Sequence, residues 1–226
     1  MKDHYEFALS YNFKSNVYRE QLIQHISLAY LISLESLKSP SLFNKLMEKF
    51  DSDDINQIIW FFWRQKDYLK EDNEKNKQIK KRILDFWQFV YDKLKEKREE
   101  HLSEKEKEIL SNIVKLTVFL PELSEPYTDW LKLSTKFIKN AGTFSVFLND
   151  VEKFIKIGDR IETAKIIGEL LLNVKPFTYP KDKIKSFIKY LCETDDGEVK
   201  KIAKDICEKY IKSEIFFLKE VCEKCN

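Results

Sequence analysis

The 226-residue sequence has very little glycine or proline, with 4 Gly and 5 Pro. These two residues mark most turns and loops, so a chain with so few of them has little material for hairpins. Its backbone N–H and C=O groups must therefore be paired mostly inside helices. Four scattered glycines also exclude the Gly-rich loop that cradles a phosphate.

The chain also has little excess of one charge sign over the other. Forty Lys and Arg against 38 Asp and Glu leave a net charge of +2, which is too small to indicate a dominant attraction to nucleic acid or anionic lipid. No stretch approaches the roughly 18 uncharged apolar residues of a membrane span, and residues 1–15 lack the apolar core of a secretory signal. We therefore expect a cytoplasmic protein that does not enter a membrane.

Signatures of catalysis are missing as well. The sequence has 3 His, and no local motif places a histidine base beside a nucleophilic Ser or Cys. We therefore predict that the chain is not an enzyme and that it uses no cofactor.

What the sequence does contain is helical periodicity, which runs almost without interruption from Asn16 to Cys225 and predicts about eleven helices. The longest predicted helix carries apolar residues three or four positions apart on one face, as amphipathic helices do: Ile79, Ile83, Trp87, Val90 and Leu94.

Several helix ends can be placed from the residues that punctuate them. Ser39–Pro40 predicts the start of a short helix, and Ser103 with Glu106 forms a capping-box pattern that predicts another start. Pro126 predicts the first turn of a further helix. Residues 140–142, Asn-Ala-Gly, suit a left-handed C-terminal cap, so we expect that helix to end there.

Pairing neighbouring helices across short connections gives antiparallel hairpins that begin near residues 16, 52, 103, 143 and 181. The spacing of these starts is close to the roughly 40 to 47 residues of HEAT and armadillo units, although no residue motif recurs from unit to unit. The sequence thus predicts an all-α fold, an irregular α-solenoid of HEAT/armadillo-like antiparallel helix hairpins. Residues 1–226 would form a single helical-repeat domain, with 1–15 as an N-terminal segment. A compact orthogonal helical bundle is the alternative.

Four cysteines are clustered in the last 35 residues: Cys192, Cys207, Cys222 and Cys225. A structural zinc site needs four thiolate or imidazole ligands, usually from two closely spaced pairs, and only Cys222 and Cys225 have that spacing. A disulfide or redox-active pair is a second interpretation. All four also extend or flank apolar faces, as small buried hydrophobic residues do, so we expect inert packing and no metal.

Lysines form basic ribs on two predicted helices: Lys132, Lys136 and Lys139 on one, and Lys181, Lys185 and Lys189 on the other. Stacked repeats could align such ribs into a groove that follows a phosphate backbone. Against this, the basic residues are 35 Lys and only 5 Arg, and Arg is better suited to bidentate phosphate contacts.

Tryptophan gives the second candidate surface. Trp63, Trp87 and Trp130 fall on apolar helical faces, where they are expected in the core. Trp60, with Phe61, lies off the main face of its helix. Packing against the preceding hairpin is the favoured interpretation of these two residues. Large exposed aromatics dominate interface hot spots, so Trp60 and Phe61 are also our candidates for contact with a protein partner.

Several aromatic-rich segments carry a resemblance to a known group of proteins. The segments are Ile58–Arg64, Arg82–Trp87, Leu116–Leu120 and Asp129–Leu131. Together they resemble the helical C-terminal region of large bacterial and archaeal ATP-binding or defence-type proteins, over most of the chain from about residue 16 onward. The resemblance implies that the partner is the missing N-terminal portion of the same polypeptide. A separate fold-level analogy is to HEAT-like DNA glycosylases, whose functional residues have no match here.

The expected function is therefore binding. The main hypothesis is a non-catalytic helical repeat module, a scaffold for protein–protein interaction or sensing, and the C-terminal part of a larger prokaryotic protein of defence type, including antiviral defence. The alternative is a nucleic-acid-binding HEAT-like protein, including a DNA base-processing enzyme, that uses the basic ribs.

Overall fold

A computed structural model describes residues 16–32, 48–156 and 160–225, and within these ranges every regular element is a helix. The all-α prediction is therefore confirmed. The α-helices are α1 (Asn16–Ile32), α2 (Ser52–Arg64), α3 (Glu74–Leu94), α4 (Glu104–Ile113), α5 (Tyr127–Thr135), α6 (Ala141–Glu152), α7 (Arg160–Asn173), α8 (Lys181–Glu193), α9 (Gly197–Lys212) and α10 (Lys219–Cys222).

Short 3₁₀ turns extend or join several of these helices. They are Gln65–Asp67, Glu99–His101, Val114–Phe119, Lys153–Lys156, Phe216–Leu218 and Glu223–Cys225. The predicted N-terminal segment 1–15 and the short helix predicted after Ser39–Pro40 lie outside the described residues.

The chain divides into two compact units, Met1–Ile109 and Leu110–Asn226, and the division falls inside α4. Each unit has its own buried apolar residues. The expectation of a single helical-repeat domain stays a prediction.

In the first unit, a buried ion pair holds α1 to the start of α2. Asp54 is 1% exposed. Its Oδ1 accepts a hydrogen bond from Arg19 Nε at 2.8 Å, and its Oδ2 forms an ion pair with Arg19 Nη2. Asp54 also closes a capping box with Asp51, because the Asp51 N–H donates to Asp54 Oδ2 at 3.1 Å. A buried carboxylate needs this many partners because its desolvation is costly.

A second contact of the first unit joins the carboxyl end of α1 to α3. Arg82 Nη1 donates to the carbonyl oxygens of Tyr30 at 2.8 Å and Leu31 at 3.0 Å, and the Tyr30 hydroxyl donates to the Arg82 carbonyl at 2.9 Å. Arg82 thus gives two carbonyl groups in the last turn of α1 a charged donor from another helix. Burial raises the pKa of Tyr30.

In the second unit, one order of helices recurs. The first set is Val114–Phe119, α5 and α6, and the second set is α7, α8 and α9. In each set the third helix packs against the first. The second helix begins after a proline in both sets, Pro126 or Pro180. The third helix begins after a side-chain cap in both, Asn140 or Asp196.

A lysine near the end of the third helix closes the first helix of each set. Lys153 Nζ donates to the Val118 carbonyl at 2.8 Å, 35 residues away. Lys209 Nζ donates to the Leu172 carbonyl at 2.8 Å and also to the Val174 carbonyl, which again is 35 residues away. A cation at these carbonyls both fills their hydrogen-bonding capacity and opposes the negative end of the helix dipole.

This recurrence differs from the repeat expected from the sequence in two ways. Each recurring set contains three helices, whereas hairpins of two helices were expected. The recurrence also carries a residue-level signature, the capping lysine, although no recurring motif was expected. The irregular HEAT/armadillo-like solenoid itself stays a prediction.

Close packing of α7 on α9 depends on a glycine. A Cβ added at Gly168 of α7 would lie 2.6 Å from Ile202 Cγ2 of α9, which is closer than a real side chain allows. Glycine weakens a helix interior, but here its missing side chain lets the two helices approach.

Two of the helix-end predictions can be compared directly. The capping box is confirmed, since the Ser103 N–H donates to Glu106 Oε2 at 2.9 Å and α4 begins at the next residue. The C-terminal cap at residues 140–142 was wrong. Asn140 has extended backbone angles, φ −128° and ψ 153°, and its side chain accepts a hydrogen bond from the Thr143 N–H at 2.8 Å. Asn140 therefore begins α6.

Tyr210 of α9 makes the stability of the second unit depend on alkaline pH. Burial raises its pKa from 10.0 to about 12. Between these values the unfolded chain loses the Tyr210 proton first, so the stabilisation present below pH 10 decreases as pH rises towards 12. At about 1.4 kcal/mol per pKa unit, we expect a loss of about 2 to 3 kcal/mol.

Urea unfolding of the wild type and of Tyr210→Phe at a series of pH values from 8 to 11.5 measures this loss. The variant keeps the ring and removes the titrating group, so the free energy of unfolding of the wild type should fall more steeply above pH 10. Parallel pH profiles for the two proteins would contradict the assignment to Tyr210.

Candidate protein-binding surface and C-terminal disulfides

Trp60 is exposed on α2 because the core-facing side of that helix is already filled. Ile58, Ile59 and Phe62 are fully buried, while Trp60 is 41% exposed. Phe62 contacts Phe86 edge to face, with ring centroids 5.2 Å apart. The apolar face of α2 thus points into the first unit. Trp60 lies off this face, as expected from the sequence, and its indole is left on the outer side.

The exposed indole is part of a small cluster. Trp63 meets Trp60 edge to face with ring centroids 5.4 Å apart, and Lys66 Nζ lies 3.5 Å from the centroid of the Trp63 ring. Edge-to-face aromatic pairs and a cation over an indole face are both favourable. We call Trp60, Trp63 and Lys66 the Trp60 surface.

Phe61 contributes less to this surface than the sequence analysis expected. It is half-buried, and its ring centroid lies 6.2 Å from that of Phe62 in the core. Trp63 contributes more, because it is half-buried where full burial was expected. Its position three residues after Trp60 was the signal that could have identified it, since such residues are neighbours on a helix.

The Trp63 indole has a polar atom without a partner. Nε1 is buried and makes no hydrogen bond within the described part of the chain. A buried donor left unsatisfied costs about 1 to 3 kcal/mol. Buried unsatisfied groups are few in native proteins, so this one distinguishes Trp63 from an ordinary core residue.

The lysines of the two ribs do not occupy equivalent positions in the recurring helices. Lys132, Lys136, Lys139 and Lys181 are exposed and Lys185 is half-exposed. When the helices are aligned on Pro126 and Pro180, Lys185 falls at the position of the buried Leu131, one residue before Lys132. One residue is about 100° around a helix, so Lys132 and Lys185 lie on different faces of their helices. Lys136 and Lys139 follow the last residue of α5, Thr135, so the prediction that they form a rib with Lys132 on one helix was wrong.

The four cysteines form two disulfides. Cys192 pairs with Cys225 and Cys207 pairs with Cys222, with Cα–Cα distances of 4.9 and 5.7 Å. No cysteine is free, so the expectation of inert, unpaired thiols was wrong. Paired sulfurs cannot supply the thiolates of a zinc site. Within the described ranges, no group of three or more His, Cys, Asp or Glu is placed to hold a metal.

The disulfides hold the C-terminal residues against α8 and α9. They close nested loops whose ends are 33 and 15 residues apart. Helix α10, which ends at Cys222, has only four residues. This is far below the length at which a helix is stable alone. Cross-links to Cys192 of α8 and Cys207 of α9 therefore supply the fixation that α10 lacks. Pairing of this kind cannot be deduced from cysteine spacing, because four cysteines allow three connectivities.

Among the described helices, none is both long enough and apolar enough to cross a membrane. In comparisons with protein families, curated proteins and solved structures, no match was found. The resemblance to ATP-binding or defence-type proteins therefore stays a prediction. The function has to be argued from the surfaces of the chain itself.

The disulfide pairing gives a direct chemical prediction. In the denatured, unreduced protein no cysteine should react with iodoacetamide, and four should react after reduction, because every sulfur is paired. Peptide mass spectrometry should find Cys192 linked to Cys225 and Cys207 linked to Cys222.

Removing each pair should destabilise the protein according to the loop that it closes. From the loop-entropy relation, replacing Cys192 and Cys225 by serine should cost about 4 kcal/mol, and replacing Cys207 and Cys222 about 3 kcal/mol. Urea unfolding measures both. Four alkylated cysteines in the unreduced wild type would contradict the pairing.

Proposed function

We propose that the chain is a non-catalytic helical module that binds a protein partner through the Trp60 surface. The observation that carries this proposal is the 41% exposure of Trp60 on a helix that buries Ile58, Ile59 and Phe62 completely and leaves Phe61 and Trp63 half-buried. An exposed indole held by a neighbouring indole presents a large contact area with little conformational freedom to lose on binding.

The chemistry of the surface suggests what the partner presents. Trp60 and Trp63 offer apolar faces, and Lys66 and the exposed Arg64 add positive charge beside them. A complementary partner would place an apolar side chain against the indoles and an acidic residue near Lys66, since charge complementarity favours correct docking.

The proposed partner is the N-terminal portion of a larger prokaryotic protein of defence type, to which this chain would contribute a C-terminal part for protein interaction or sensing. The resemblance of the segments Ile58–Arg64 and Arg82–Trp87 supports this identity. The first of these segments contains both indoles of the Trp60 surface, so the same residues would define the family and the interface.

We also propose that the helices continue as an irregular α-solenoid. The recurring three-helix order in the second unit supports it, because armadillo-type units contain two or three helices each. A solenoid leaves the outer faces of its helices available for binding, as repeat proteins commonly do.

Nucleic-acid binding is the second hypothesis of the sequence analysis, and the positions of the lysines do not favour it. Lys132 lies one residue, about 100° around the helix, from the position equivalent to Lys185, and Lys136 follows the end of α5. A groove that follows phosphates needs its cations on one continuous face. With a net charge of +2, the chain offers no broader attraction to replace that alignment.

The two disulfides also bear on the compartment in which the protein folds. Cytoplasm was expected from the composition, but two disulfides are typical of proteins that fold in an oxidising environment. We therefore infer an oxidising compartment. Both disulfides join the short C-terminal segment to the helices α8 and α9 of the second unit.

Site-specific photo-crosslinking followed by affinity measurement tests the proposed interface. A benzophenone amino acid at position 60 should cross-link one partner protein, while the same group at the exposed Ile211 of α9 should not. Binding of that purified partner should then weaken at least about 30-fold in Trp60→Ala, as expected when a hot-spot residue is removed.

Two controls separate binding from folding. Trp60→Ala should leave the free energy of unfolding within about 1 kcal/mol of the wild type, whereas Phe62→Ala should lower it by about 3 to 5 kcal/mol. Ile211→Ala should bind the partner normally. Equal affinity of Trp60→Ala and the wild type for the partner would refute the proposal.

A further inference from the structure

The first unit contains a groove that none of the sequence features pointed to. It lies between the start of α2, the second half of α3 and the first turns of α4, and its volume is about 360 Å³. This is within the range of roughly 300 to 1,000 Å³ that small-molecule sites occupy. Its size therefore fits a small organic molecule.

The floor of the groove is apolar. Among the described residues it consists of two aromatic and four aliphatic side chains: Phe50, Ile55, Phe89, Val90, Leu94 and Ile109. Covering such a surface with an apolar group displaces water and lowers the free energy of the complex. The floor therefore selects for a ligand with a hydrocarbon body.

The acidic residues on the rim are already engaged by local donors. Glu106 accepts hydrogen bonds from Ser103 and from Lys97 Nζ. Asp51 Oδ1 accepts the N–H groups of Asp53 and Asp54, both at 2.9 Å. These carboxylates have little capacity left to attract a cationic ligand.

The three lysines that line the groove differ in whether they form an ion pair. Lys97 is paired with Glu106, and Lys105 Nζ lies 3.1 Å from Asp53 Oδ2. Lys93 forms no ion pair with the described residues; its Nζ lies 4.4 Å from the centroid of the Phe89 ring. Burial lowers the pKa of Lys93, and the charge of Glu48 only partly opposes this. Lys93 as a whole is exposed, and its side chain lies at the edge of the apolar floor.

We propose that this groove binds a small amphipathic carboxylate, with its hydrocarbon body on the apolar floor and its carboxylate at Lys93. The ligand would supply a carboxylate to pair with Lys93, beside an apolar surface where an ion pair is stronger than in bulk water. The aliphatic part of Lys93 would cover the ligand body, as long basic side chains do.

This site is separate from the Trp60 surface. Ile55 lines the groove, and Trp60 lies five residues later on the same helix, about 140° around it. The groove proposal therefore does not depend on the proposed protein partner, and either can fail without the other.

Titration calorimetry with three ten-carbon probes tests the proposal on the full chain, each below its micelle concentration. Decanoate should bind with one site per chain, and decanol and decylamine should bind at least about tenfold more weakly because neither carries an anion. Comparable affinity for decylamine, or no binding of decanoate at millimolar concentration, would overturn it.

Variants locate the binding. Lys93→Met keeps the length of the side chain and removes its charge, so it should weaken decanoate at least about tenfold and leave decanol unchanged. Lys81→Met, an exposed lysine on the same helix, is the matched control and should bind decanoate normally. Ile55→Trp should fill the groove and abolish binding of all three probes. Unchanged decanoate affinity in Lys93→Met, with circular dichroism showing a folded variant, would refute the assignment.

Discussion

The described fold depends on how the carboxyl ends of its helices are satisfied. A helix leaves its last carbonyl oxygens without partners, and proteins often close that end with a glycine in the left-handed conformation. This chain has only 4 Gly. Instead, basic side chains from later parts of the chain donate hydrogen bonds to carbonyl oxygens at these ends. Arg82 does so at α1, Lys153 at Val114–Phe119, and Lys209 at α7. Each such contact fixes one helix end and also ties it to another helix.

The proposed sites follow from this arrangement. Arg82 ties α3 to α1, and the Arg19–Asp54 pair ties α1 to α2. The three helices therefore hold the inner face of α2 in the core, and Trp60 on its other side remains exposed. The same fixation of α2 and α3 forms two walls of the groove around Lys93. In the second unit the lysine contacts fix α7 and α9, and the disulfides extend that order to the chain's last residues.

Sequence patterns predicted the local features of this structure and missed the non-local ones. Ser103 and Glu106 are three residues apart, so their capping box could be read directly. Asn140 was assigned to the wrong helix because asparagine suits both an N-terminal cap and a left-handed C-terminal position. No local pattern singled out Lys153 and Lys209, since their carbonyl partners lie 35 or more residues away. The position of Trp60 off the apolar face was visible in the sequence, whereas the groove at Lys93 needs three helices to form.

Hydrogen exchange on the Lys153→Met and Lys209→Met variants tests the central claim most directly. If these lysines hold the helix ends, amides of Val114–Phe119 should exchange at least about tenfold faster in the first variant, and those of Leu170–Val174 in the second. Lys212→Met removes an exposed lysine whose ion pair among the described residues is with Glu208, and it should leave both segments unchanged. Exchange rates in the two variants equal to those of the wild type would contradict the account.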